Sequence, residues 1–210
     1  MDKDGQQRQI SGKVPFSSLI RNPLIWKLLI TYFFANIVFW GLQSWLPSYW
    51  VKVRGMSLVS MGIYSSLPAI AGFVSFLLSG WVLDKWMSGR EKYVIGAGAL
   101  LSAIFIYVMF HTESIPLAFV YLTFSNVFLN AISITVFILP LKYVAKESVG
   151  TATGIINGGG QVGSILSPAI MGYIISATNQ NYDAAFWFLV VSSLVALAAG
   201  LTIHTRNAQI

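Results

Sequence analysis

The sequence predicts an all-α membrane protein, a bundle of six transmembrane helices, and three observations carry that prediction. Apolar residues make up 56% of the 210 and charged residues only 10%, against roughly 25% charged in soluble domains. A chain of this length with so few charges cannot cover its surface for water, so lipid must face much of it. The apolar residues fall in six long runs, and a helix needs about 20 mainly apolar residues to cross a bilayer. None of the runs alternates with period two, which excludes the strands of a closed barrel, the other structure that satisfies its backbone in lipid. An aromatic content of 14%, with seven Trp, suits side chains placed at membrane interfaces.

The runs follow a polar stretch, residues 1–22, which reads as a cytoplasmic tail or linker. Within it, residues 14–21 suit either a plain linker or a short interfacial helix with Phe16, Leu19 and Ile20 on the lipid side. The first run spans residues 24–46, too long for the apolar core of a cleavable signal, and no such signal is visible. The second spans 58–83, the third 93–110, the fourth 115–139, the fifth 151–177 and the sixth 184–204. Residues 23–205 therefore read as one bundle, and 206–210 as a second short tail. The connections are too short to hold an inserted soluble domain.

Orientation follows from Lys and Arg, which concentrate on the cytoplasmic side. With the N-terminal tail inside, Lys3, Arg8, Lys13, Arg21, Lys27, Lys85, Arg90, Lys92, Lys142, Lys146 and Arg206 all fall inside, and Lys52 and Arg54 outside. An even number of spans returns the C-terminus to the cytoplasm. The net charge of +6 thus reports topology and not a nucleic-acid surface. A faint internal repeat is also present. Leu46-Pro47 and Leu139-Pro140 are 93 residues apart, and Gly62-Ile63 and Gly154-Ile155 are 92 apart. Three helices separate the copies, so they cross in opposite senses, as in a 3+3 inverted repeat. Pro68-Ala69-Ile70 and Pro168-Ala169-Ile170 are out of register with these pairs and do not count.

The acidic residues Asp2, Asp4, Asp84, Glu91, Glu113, Glu147 and Asp183 all lie in tails, in connections or beside them. His111 and His204 sit at helix ends. A proton relay or a counter-ion for a charged substrate ordinarily uses an ionisable group within the membrane, so by itself the chain has no evident coupling residue. With no cysteine there is no disulfide or thiolate metal site. No nucleophile–base pair, metal cluster or phosphate loop is visible, so neither an enzyme nor a cofactor is expected.

Polar residues recur inside the runs at helical spacing. Tyr32, Asn36, Trp40 and Gln43 share one face of the first run. Asn126, Asn130, Ser133 and Phe137 share a face of the fourth, and Asn157 and Gln161 lie one turn apart in the fifth. An amide turned to lipid without a partner costs several kcal/mol, so these faces point inward. Two readings stay open: a polar cavity lined by the first, fourth and fifth helices, or interhelical hydrogen bonds, worth only about 0.6 kcal/mol each. Asn36 and Asn157 lean to the cavity. The expected binding residues are Tyr32, Asn36, Trp40, Gln43, Asn130, Phe137, Asn157 and Gln161. Gly154, Gly158, Gly159 and Gly163 make two G-x-x-x-G pairs, a surface that lets helices approach closely. No Gly-Lys-Ser/Thr follows them, so they form no phosphate loop.

After the second run the chain reads GWVLDKWMSGREK. Gly80, Asp84, Lys85, Gly89, Arg90 and Lys92 resemble the loop signature of the major facilitator superfamily. Its glycine would allow close helix contact, and its acid can sit at a helix N-terminus. The stretches WLPSY, RGMS with GIYSSLPAIAGF, and GTATGIINGGGQVGSILSPAIMGYI are similar to the C-terminal half of the anion:cation symporter branch. The resemblance runs from Asn22 onward. It implies half of a major facilitator fold in a plasma membrane. It also implies symport of a small organic anion, a sugar acid or aromatic carboxylate, with the coupling acids and an anion-binding Arg in an N-terminal six-helix half. Tyr32, Asn36, Phe137 and Asn157 match cavity positions of that branch. Phe137 and Pro140 stand in a local pattern that differs from it. The alternatives are a dimeric carrier of a neutral solute, completed by a second copy, and a membrane fragment that does not transport.

Overall fold

The computed structural model describes residues 14–86 and 89–203. Most of the first tail, residues 206–210 and His204 lie outside the described residues. Seven α-helices follow in order: α1 (Phe16–Arg21), α2 (Pro23–Lys52), α3 (Leu58–Trp86), α4 (Glu91–His111), α5 (Ile115–Tyr143), α6 (Val149–Ala177) and α7 (Asp183–Leu201). A short 3-10 turn, Lys146–Ser148, precedes α6. No strand occurs among the described residues.

Local chemistry marks several of the helix ends. Asn22 caps α2, its side chain accepting from the Leu24 N–H at 2.8 Å, and Pro23 begins the helix where an N–H is not needed. Acidic residues stand in the first turns of α4 (Glu91) and α7 (Asp183), where the helix dipole favours them. Beyond α2 the chain turns at Gly55, whose φ is +66°.

Among the described residues five helices are long and apolar enough to cross a membrane: α2, α3 over Leu58–Trp81, α4, α5 and α7. With 29 residues α6 matches them in length. Its seven glycines and the side chains of Thr151, Thr153, Asn157 and Gln161 dilute its apolarity. Most helices also outrun the apolar segments seen in the sequence. α2 continues through Pro47 to Lys52, because Tyr49 and Trp50 beyond the proline are buried. α7 stops at Leu201, short of the expected end at 204.

α2 packs along α6 and α7, α4 along α5 and α7, and α3 along α5. The core gathers where these pairs meet, with Leu28, Leu42 and Trp50 of α2, Ile106 and Met109 of α4, Phe119 and Leu129 of α5, and Phe186 of α7 fully buried. Trp50 stacks on Phe119 at 4.6 Å between ring centroids. α6 reaches α2 through glycine. A Cβ on Gly160 would overlap the Tyr32 ring, and one on Gly163 would stand 2.5 Å from the Phe33 carbonyl oxygen. α3 is different. Apart from Pro68 and Ser75 it buries little, and Ile63, Ile70, Phe73, Leu77 and Trp81 are exposed.

The short α1 corrects one expectation. Phe16 and Ile20 are exposed as an interfacial helix requires, but Leu19 is fully buried in the core. α1 packs against α2 and α6, and just before it the Val14 N–H donates to Ser148 Oγ at 2.7 Å.

Candidate functional site

A cavity of about 460 Å³ opens between α2, α3 and α5, within the range of small-molecule sites, roughly 300–1,000 Å³. Its polar groups are Gln43 from α2, Ser65 from α3, and Asn126 and Asn130 from α5. Phe39, Trp50, Phe73 and Phe76 supply aromatic surface, and Pro47 and Pro68 line it as well. None of the lining residues is ionisable.

The asparagines are held in a defined state. Asn126 Nδ2 donates to the Leu122 carbonyl at 3.1 Å, and Asn130 Nδ2 donates to the Asn126 carbonyl at 3.0 Å. Each bond runs back one turn along α5 and uses an amide N–H, which leaves the amide oxygen as an acceptor. Asn130 lies against Gly72 of α3, where a Cβ would come within 3.3 Å of its Nδ2. The two prolines lie inside their helices and cannot donate one turn back. The carbonyls of Gln43 and Tyr64 therefore lose their helical partners. The wall thus offers amide oxygens as acceptors beside the remaining amide N–H groups and the Ser65 hydroxyl as donors.

The residues expected from the sequence separate into three groups. Gln43 and Asn130 line the cavity. Tyr32, Asn36 and Phe137 are not among its lining residues: the Tyr32 and Phe137 rings meet edge to face at 4.9 Å, and Tyr32 and Asn36 both lie against Gly160. Asn36 is 6% exposed, and among the described residues nothing accepts from its Nδ2. Trp40, Asn157 and Gln161 are exposed. Gln161 Nε2 donates to Asn157 Oδ1 at 3.4 Å. The enclosed space therefore involves α3, whereas the sequence pointed to the fifth apolar run, now α6. The missed signal was a stripe of small residues, Ser65, Ala69 and Gly72, with Pro68 beside it, which leaves room next to α5. Asn126, which the sequence left equally open as packing, lies in the cavity.

The loop signature also departs from expectation. Among the described residues nothing stands within 4 Å of where a Cβ on Gly80 would be, so none of the described helices uses it for close contact. Asp84 falls in the last turns of α3 rather than at a helix start, and its side chain lies outside the described residues. Lys85 Nζ sits 4.8 Å from the centroid of the Trp81 ring. Gly89 has φ +78°, a backbone state that favours glycine, and Arg90 precedes α4 and is exposed. The acid at the helix start is Glu91. It is 1% exposed, accepts from the Gly89 N–H at 3.1 Å and pairs with Lys142 at 3.2 Å. That pair joins the start of α4 to the end of α5 across 51 residues, a separation at which the sequence offers no signal.

At the other end of the bundle Arg54 donates to the carbonyls of Thr112 (2.9 Å) and Glu113 (2.6 Å) and to the Tyr49 hydroxyl (3.2 Å). It ties the connection after α2 to the connection after α4.

Comparison with known proteins adds the following. The sequence model of the Major Facilitator Superfamily matches residues 2–168 and 88–209. A probable sulfoacetate transporter of Cupriavidus necator, SauU, is 29% identical over 204 residues, 94% of this chain and 46% of its own. A probable galactarate/D-glucarate transporter of Bacillus subtilis, GudP, is 28% identical over 208 residues, 96% of this chain and 45% of its own. A membrane sensor protein of Escherichia coli, UhpC, is 24% identical over 194 residues, 91% and 43% respectively. The chain spans about half the length of these curated relatives.

Proposed function

The chain belongs to the Major Facilitator Superfamily, and from that premise we propose that it is the C-terminal six-helix half of a secondary symporter for a small organic anion. The family and the relatives' names point to a transporter and not an enzyme, and to a multi-pass membrane protein. The proposal places it in the plasma membrane with both termini cytoplasmic, as the distribution of Lys and Arg favours. Residues 23–205 are its transmembrane unit, and α6 joins the five other long helices as the fifth of six spans in chain order.

Two features support a 3+3 inverted repeat. Exchanging α2, α3 and α4 for α5, α6 and α7 turns the α2–α6 contact into α5–α3 and the α2–α7 contact into α5–α4, so the main contacts map onto one another. Ser75 of α3 donates to the Val127 carbonyl of α5 at 3.2 Å, and Ser167 of α6 donates to the Ile37 carbonyl of α2 at 2.6 Å. Positions 75 and 167 are 92 apart, the spacing of Gly62 and Gly154.

The observation that carries the function is the cavity wall itself, lined by neutral amide and hydroxyl groups and without an ionisable side chain. Amide groups bind hydroxyl groups; a carboxylate is held most strongly by a cation. In our reading this half holds the hydroxylated or neutral part of a sugar acid or a related anion. The carboxylate and the coupling proton or sodium ion are handled by a second six-helix unit, and the two units rock about the site between them. Trp40, Asn157 and Gln161 complete the passage once that unit covers them, and Tyr32, Asn36 and Phe137 support its wall. In the assembled transporter, Asn126→Ala and Asn130→Ala should each raise the KM for D-glucarate about tenfold, roughly one lost polar contact. Unchanged KM in both variants would return these amides to helix packing. The likeness to a membrane sensor favours one second reading, that the same wall binds solute without moving it.

A further inference from the structure

We propose that the crevice between α3, α4 and α5 takes an acyl chain of an anionic phospholipid, with the headgroup phosphate held by Lys92 and Lys85. The crevice measures about 480 Å³ and is lined by Leu78, Val94, Ala97, Val127, Phe128 and Ala131 among others. It lies on the α4 flank of the α3–α5 pair, whereas the amide cavity lies on the α2 flank. Its wall is almost wholly apolar. The Ser75 hydroxyl, which borders it, is already spent on the Val127 carbonyl. In a membrane such a space is filled by hydrocarbon.

Charge selects the class of lipid. The crevice runs toward the start of α4, where Tyr93 lines it and Lys92 Nζ lies 5.0 Å from the Tyr93 ring centroid. Lys85 Nζ sits over Trp81 at the end of α3, and Arg90 is exposed between them. Glu91 is buried, and Lys142 offsets its charge: its Oε1 pairs with Lys142 and accepts from the Gly89 N–H, while its buried Oε2 has no partner among the described residues. Asp84 is the one remaining acid of this connection, against three basic residues. A zwitterionic lipid would fill the crevice equally well but gain nothing from that excess, whereas an anionic headgroup gains from each nearby basic residue.

The test is native mass spectrometry of the full chain in detergent, with dioleoylphosphatidylglycerol or dioleoylphosphatidylcholine added at equal concentration. The glycerol lipid should be retained at least fivefold better. Lys85→Gln and Lys92→Gln should each weaken its retention by about fivefold, and together bring it to the choline level. Ala97→Phe should lower retention of both lipids by filling the crevice. Position 97 is chosen because it is exposed, whereas a side chain at Gly98 would strike Ile132 and the Phe128 carbonyl. If Ala97→Phe does not insert, Ala97→Leu gives the same reading. Equal retention of the two lipids, or a preference that survives loss of both lysines, would overturn the headgroup assignment. Retention indifferent to filling at position 97 would overturn the crevice.

Discussion

Asn36 shows how one side chain distinguishes packing from recognition. It is buried against Gly160, and its Nδ2 has no acceptor among the described residues. A buried donor left unsatisfied costs about 1–3 kcal/mol, and replacing it with an apolar group of similar shape can be neutral or stabilising. Asn36→Leu should therefore leave the thermal midpoint of this chain unchanged or raise it, while raising the solute KM of the assembled transporter. A lower midpoint with unchanged KM would mark Asn36 as a structural amide. The sequence placed Asn36 on an inward face from its spacing alone, and it is buried. The same spacing argument put Asn157 and Gln161 inward, and here they are exposed, whereas Gln43 is exposed and still lines the cavity. Periodicity reports that residues share a face; it does not report what covers it.

At the scale of elements, α6 and α3 are the instructive pair. The glycines of α6 fall on two sides. Gly159, Gly160 and Gly163 meet Leu29, Tyr32 and Phe33 of α2, whereas Gly154 and Gly158 have nothing within 4 Å of a built Cβ. Gly160→Val should lower stability by about 1–3 kcal/mol, the usual cost of overpacking, read as a fall in the thermal midpoint. Gly158→Ala should leave it unchanged within error or raise it slightly, since alanine favours a helix. Equal effects would contradict the packing of α6 on α2. The existence and order of the long helices were legible because a membrane span is a long signal that single residues cannot disguise. Their ends were not: Tyr49 and Trp50 extend α2 past Pro47 through tertiary burial. Nor was the depth of Leu19, or the pairing of Glu91 with Lys142, because these depend on neighbours distant in sequence. α3 looked like any other span, yet it buries one narrow face and leaves the rest exposed.

For the chain as a whole, the exposed amides of α2 and α6, the open face of α3 and the uncharged cavity all fit the proposal that a second six-helix unit covers them and supplies the charge. The chain's span of about half its relatives' length agrees with that division. The most direct measurement is proton-driven uptake of radiolabelled D-glucarate into proteoliposomes, with this chain alone and with a matching N-terminal six-helix unit beside it. The account predicts no accumulation from the chain alone and accumulation above the external concentration from the pair. Uphill uptake by the chain alone would contradict it.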